Sequence, residues 1–255
     1  MAVSDATFII VDNLGPHFRV KNTVIRGAIV YDYNATHFIP LPHIEDIEGW
    51  VAPNRFVSAP ITVDDLQLDI KRGDTIHIIR ASDGSLLTGH DEVRQTGDPL
   101  TDSNYPWKEV QKIVVYNRYQ HGAKPMVGLI RGFDITDGAI AGSVAHDCHN
   151  IVAIGSSDEY LVKAVNRVVE MQGGLVVVSA DELLDIPLPI AGLMTPLDGY
   201  EIAFRMMLMH EMVRSIGCTM KSPFITMSFM ALPVIPDIKI TDRHLVDTKN
   251  MRIIE

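Results

Sequence analysis

Residues 138–155 read GAIAGSVAHDCHNIVAIG. Two apolar runs, 138–145 and 151–154, enclose Ser143, His146, Asp147, Cys148, His149 and Asn150. Short apolar runs between glycines and polar residues read as buried strands. The polar cluster then falls at a strand end or a tight turn. On the C-terminal side, Ser157 and Asp158 suit a helix start, with the carboxylates of Asp158 and Glu159 against its positive end. Leu161, Val162, Val165, Val168, Val169 and Met171 keep helical spacing, and Gly173-Gly174 closes the helix. Residues 175–178 (LVVV) form the next buried strand. A second helix is expected over 200–216, with Ile202, Ala203, Met206, Met209, Met212, Val213 and Ile216 on one broad apolar face and Gly217 at its end.

On the N-terminal side, residues 127–133 and 109–119 are strand candidates, as are 76–79. A turn at 82–85 (SDGS) suggests a hairpin with a return at 86–88. Residues 7–11, 18–25 and 28–31 suggest a small antiparallel meander, punctuated by Asn13-Leu14-Gly15-Pro16 and Gly27. Pro40, Pro42, Pro53 and Pro60 make residues 32–64 a linker or wrapping segment. Strands outnumber helices and hairpins recur. The expected class is α+β, with antiparallel sheet layers carrying packed helices, preceded by a small β-sandwich fragment. The expected division is 1–64 and 65–255.

The chain has 255 residues, 47% hydrophobic and 21% charged, with a formal charge of -10. This fits a soluble globular protein, and the acidic balance without a Lys/Arg run argues against nucleic acid and anionic membrane as partners. No run approaches the roughly 20 apolar residues of a membrane span. The N-terminus lacks the basic start and long apolar stretch of a secretory signal. Two cysteines, Cys148 and Cys218, do not make a disulfide framework, so a reducing, cytoplasmic setting is expected.

Within 143–150, two imidazoles, a carboxylate, a thiol and an amide lie close in sequence. His146 and His149, three residues apart, would face opposite sides of a strand, so only a turn or bulge brings them together. One reading is that they satisfy buried backbone groups and shape the turn. Others are a metal site or a thiol nucleophile at Cys148. His210-Glu211 does not continue as a zinc-protease helix, because position 214 is Arg214. Phosphate-loop, dinucleotide and esterase-elbow motifs are absent from the sequence. Residues 187–194 (PLPIAGLM) form a rigid apolar loop, and a second apolar loop is expected at 229–236.

The block GAIAGSVAHDCHNIVAIG is similar to one found in adenine deaminases, whose common form has serine where this chain has Cys148. The similarity continues through Ala164-Val165-Asn166-Arg167, residues 173–178, residues 188–194, Pro223-Phe224, residues 231–236 and Thr241-Asp242-Arg243, in order. Residues 1–31 resemble the last strands of the β-sandwich beside the catalytic barrel of that family, and the likeness is weakest across 32–120. The family belongs to the amidohydrolase superfamily, so the resemblance implies hydrolysis of adenine to hypoxanthine and ammonia. It also implies iron or manganese in a (β/α)₈ barrel N-terminal to everything in this chain. Such a barrel needs roughly 250 residues, and no His-x-His pair occurs here. The resemblance therefore implies a C-terminal domain or auxiliary subunit, with no catalytic residue or metal ligand of its own and no cofactor in this chain alone. The rest of the enzyme would be a separate polypeptide, or this chain an excised piece or a degenerate gene product.

On this reading residues 143–150 support the purine pocket. The expected partners are an amidohydrolase-type barrel subunit or further copies in a homo-oligomer, and adenine. The alternatives are a stand-alone purine- or protein-binding module that has lost hydrolysis, and a separate thiol or metal enzyme built on His146, Cys148 and His149.

Overall fold

The structure, a computed structural model, describes residues 6–33, 35–37, 51–95 and 109–254. The chain forms two compact units, 1–50 and 51–255. The expected boundary at 64/65 thus falls inside the second unit. The reason is local: Ile61 is buried in that unit's core, and its backbone N–H and C=O are both bonded by the Asn166 side chain on the first helix. The prolines at 40 and 42 lie outside the described residues.

The first unit is one antiparallel sheet in the order β1 (Phe8–Val11), β2 (Val20–Ile25), β3 (Ala28–Asp32), β4 (Ala35–Thr36). The expected meander is present. The turn between β2 and β3 uses Arg26 and Gly27, both at positive φ. Among its described residues only Val24 is buried, and Phe8, Ile9, Ile10, Ile25 and Ile29 are exposed.

The second unit is built on a mixed eight-stranded sheet. Its strands in chain order are β5 (Thr75–Arg80), β6 (Gly89–Arg94), β7 (Val110–Tyr116), β8 (Met126–Arg131), β9 (Ala139–Gly142), β10 (Ile151–Gly155), β11 (Gly174–Val178) and β12 (Leu183–Pro187). Their spatial order is β12-β11-β9-β10-β7-β8-β5-β6. Every pairing is antiparallel except β5 with β8. The hairpin turn at 82–85 forms, but the return strand starts at Gly89 rather than 86, because Leu86 and Leu87 stay exposed while Thr88 bonds to Ile238. Likewise β9 ends at Gly142, so Ser143 to Ala145 belong to the turn and not to the strand.

Both faces of the central strands are covered. On one face Ala139, Ala141, Ala153, Val176 and Val178 meet α1 (Asp158–Glu170) through Leu161, Ala164, Val165 and Val168. The small alanines let the helix approach closely. Full burial of each larger apolar side chain contributes about 1.5–3 kcal/mol, so this layer outweighs the ion pair at the helix start. That pair, Lys112 Nζ to Asp158 at 2.7 Å, still orients the helix start, since the same ammonium donates to Leu66 C=O. Ser157 accepts from Tyr160 N–H as the N-cap, as its position suggested.

On the opposite face Ile113, Val115, Ile140, Val152, Ile154 and Val177 meet α2 (Gly199–Ser215), α3 (Pro223–Phe229) and a three-stranded sheet, β13 (Ile238–Ile240), β14 (Leu245–Asp247), β15 (Arg252–Ile254). The second helix is fully buried only in its C-terminal half, while Ile202 and Met206 pack half-buried against the core. Met209, Met212 and Val213 are buried, whereas Ala203, expected on the apolar face, is exposed together with Phe204 and Met207. The segment 229–236, expected as a loop, begins inside a helix, since Phe229 closes α3.

Lys239, in the middle of β13, is fully buried, and its Nζ donates to Leu86 C=O at 2.8 Å. Burial pulls its pKa down from 10.5 to about 8. Between those values the unfolded chain holds a proton that the folded chain has released, so stability rises as pH climbs through that window. The wild type should therefore gain on Lys239→Met between pH 8 and 10.5 when urea midpoints are compared. A difference that does not move with pH would sink this account of Lys239.

Candidate functional site

The turn 143–150 joins β9 to β10. Both strands are buried on both faces, so the chain reverses with little access to water and must satisfy its polar groups internally. Ser143 does most of this. Its hydroxyl donates to Gly192 C=O at 2.6 Å and accepts from Gly174 N–H at 2.9 Å, while its own N–H donates to Gly174 C=O. It ties the turn to β11 and to the loop after β12. His149 turns the chain at φ 49, its N–H donating to Ala145 C=O at 2.7 Å.

The six expected residues do gather in one turn, but with different surroundings. Ser143 and Asn150 are buried; His146, Cys148 and His149 are half-buried; Asp147 is exposed. The His146 ring stacks on Phe229 at 4.6 Å, and the backbone N–H of His146 donates to Ser228 C=O, which fixes the turn to the end of α3. Burial pushes the Cys148 thiol above its ordinary range. A neutral, half-buried thiol is a poor nucleophile, which argues against thiol catalysis here. Cys218 is buried and also unpaired.

A residue the sequence reading did not single out completes the site. Arg118 follows β7 and is 3% exposed. Its Nη2 donates to Ala191 C=O at 2.7 Å and to Tyr119 Oη at 2.8 Å, and the guanidinium lies over the Phe56 and Tyr119 rings. The fit depends on glycine: a Cβ on Gly192, which has φ +68, would sit 2.0 Å from Arg118 Nη1. No carboxylate pairs with this buried cation among the described residues, and its Nε and Nη1 have no hydrogen-bond partner there. His149 Nδ1 and Asn150 Oδ1 are buried and unpartnered as well. Burial first, and then the Arg118 charge, hold the His149 pKa below its usual value, so the imidazole is neutral near pH 7. Nearby, Asn117 Nδ2 donates to Asp242 Oδ2 at 2.7 Å. Arg118 was hidden in the sequence because it sits in a strand-like run. Its only signal was an arginine just past the apolar run Ile113 to Tyr116.

The arrangement offers guanidinium N–H donors, a neutral imidazole and an amide oxygen to a polar group brought against them. It does not gather metal ligands: among the described residues no three His, Cys, Asp or Glu side chains converge at the turn. The iron or manganese that the resemblance implies does not fit these residues.

A family model described as the adenine deaminase C-terminal domain matches residues 86–252. The chain is 39% identical over 98% of its length to an adenine deaminase of Methanosarcina barkeri, covering 45% of that protein. It is 40% identical over 98% of its length to one of Sulfurovum sp., covering 44%, and 39% identical over 95% to one of Salinibacter ruber, covering 43%. The chain thus spans a little under half the length of the curated relatives it matches.

Ser143→Ala should cost about 1–3 kcal/mol, because it leaves Gly174 N–H and Gly192 C=O buried and unpaired, whereas Cys148→Ser should change stability by less than about 1 kcal/mol. Denaturant unfolding of the two variants distinguishes them. Equal losses would mean that the hydroxyl of Ser143 is not the anchor of the turn.

Proposed function

The chain belongs to the adenine deaminase C-terminal domain family, and on that premise we propose that it forms the C-terminal part of an enzyme hydrolysing adenine to hypoxanthine and ammonia. The family match across 86–252 carries this reading. Attack of water at the purine C6 position needs a metal-activated water and a proton shuttle. The iron or manganese for that step would be held by an amidohydrolase-type barrel outside this chain. The chain's own part is to present the turn at 143–150 to that barrel and help close the purine pocket.

Two structural features support the division of labour. The buried polar atoms of Arg118, His149 and Asn150 lack partners within the described residues, and such atoms are costly unless something pairs with them. The sheet of the first unit exposes Phe8, Ile9, Ile10, Ile25 and Ile29. A sheet whose apolar side chains are uncovered, with β1 as an open edge, is stabilised by a further layer or strand. The barrel subunit, or a second copy in an oligomer, supplies that cover. Two unpaired cysteines fit a reducing cytoplasm, and no helix among the described residues is long and apolar enough to cross a membrane.

The chain alone should release no ammonia from adenine, and the enzyme assembled with its barrel should. In that assembly His149→Ala and His146→Ala should lower turnover at least ~10-fold, as expected when a pocket-closing group is lost, with a smaller effect on the thermal midpoint. Turnover equal to wild type after correction for folded fraction would remove the pocket role of the turn. Deamination by the purified chain alone at ordinary enzymatic rates would overturn the division of labour.

A further inference from the structure

The hairpin β5–β6 carries a second chemical cluster, far in sequence from the turn at 143–150. His77 on β5 lies directly opposite Glu92 on β6, and His90 lies diagonally across. His77 Nδ1 is 2.8 Å from His90 Nε2, and Glu92 Oε1 is 3.8 Å from each of these nitrogens. The two imidazole side chains are each 18% exposed, and Glu92 is 55% exposed. The hairpin forms one edge of the eight-stranded sheet.

We propose that His77, His90 and Glu92 bind one divalent transition-metal ion of the zinc type. The three donor atoms form a nearly isosceles triangle, and a point ~2.0 Å from all three exists within it, which matches the 2.0–2.2 Å bonds that zinc makes to imidazole nitrogen and carboxylate oxygen. An ion can therefore enter with side-chain adjustments alone. Opening the 2.8 Å nitrogen pair and drawing the Glu92 oxygen inward from 3.8 Å, each by roughly half an ångström, brings the set to the tetrahedral spacing of zinc. Two imidazoles and one carboxylate favour zinc, cobalt or iron over the all-oxygen cages of calcium and magnesium. Three protein ligands leave a fourth position for water, on the side where Glu92 is exposed. The Arg252 charge, which acts on His77, is engaged by Asp247 at 3.0 Å, and Glu92 offsets the charge of the ion.

The site's effect follows from its place. A cross-strand bridge pins the register of β6 against β5, and an edge strand is where such a clip adds most. Metal binding to the folded hairpin alone also raises stability by mass action. The inference does not depend on the deaminase reading, since none of the three residues belongs to the turn.

The test uses the untagged chain, stripped with a chelator and dialysed. Zn²⁺ titrated in competition with a chromophoric chelator should bind at one equivalent per chain and raise the thermal midpoint. Co²⁺ should develop the intense visible d–d bands of a four-coordinate site. Glu92→Gln, at an exposed position that leaves folding intact, should weaken Zn²⁺ binding at least tenfold, and His90→Ala should abolish the Co²⁺ bands. His149→Ala, at the other cluster, should bind as wild type does. No stoichiometric Zn²⁺ binding by the wild type, or equal binding by wild type and Glu92→Gln, would overturn the proposal.

Discussion

Burial of β9 and β10 on both faces is the constraint from which the rest of the second unit follows. Ala139 to Gly142 and Ile151 to Gly155 are buried without exception. One face needs α1, and the other needs α2, α3 and the small sheet β13–β15, so the unit becomes three layers. A strand pair enclosed in this way cannot let its connecting turn leave polar groups unpaired at will, because each unpaired buried group costs about 1–3 kcal/mol. The turn at 143–150 answers this by bonding back into the fold through Ser143 and His146, and within itself from His149 N–H to Ala145 C=O. Its structural and functional roles are therefore divided by residue. Ser143 holds the turn, and His149 with Arg118 carries what is left over for a partner.

Arg118 shows how that surplus arises. A buried guanidinium is normally matched by a carboxylate, since desolvating a charge costs several kcal/mol. Here it has two carbonyl or hydroxyl acceptors and two aromatic faces, and it lowers the affinity of His149 for a proton. The fit is made possible by Gly192, where any side chain would occupy the place of Nη1. Gly192 in turn rests on Gly173 at the end of α1, where a Cβ would come within 2.4 Å of the Gly192 Cα. The helix end, the loop after β12 and the polar site are thus one packed assembly. A change in any of them is felt by the others.

Much of the fold was legible. The helix over α1 could be read with its cap and its glycine stop, because capping and 3.6-residue periodicity are local. The central strands were legible as short apolar runs. The return after the turn at 82–85 begins three residues later than its apolar residues suggest, since Leu86 and Leu87 look like strand residues but are held outside it by the bonds of Thr88 to Ile238 and of Asp237 to Thr88. The apolar character of α2 misleads for a related reason. Its composition promises burial along its whole length, but full burial is reached only in its C-terminal half, and Ala203, Phe204 and Met207 stay exposed.

The sequence by itself determined the fold class, the buried strand pair, the polar turn between its strands and the likeness to the adenine deaminase C-terminal domain, because these depend on neighbours along the chain. The tertiary structure decided which distant residues meet. Arg118, Ala191 and His149 come together only because β7 and β10 pair antiparallel and the loop after β12 folds over their ends. His77 faces Glu92 only in the observed hairpin register, and a slip of one residue would turn one of them to the other face of the sheet. Periodicity tells a residue which side of its own strand it occupies, but strand pairing selects its partner across the sheet.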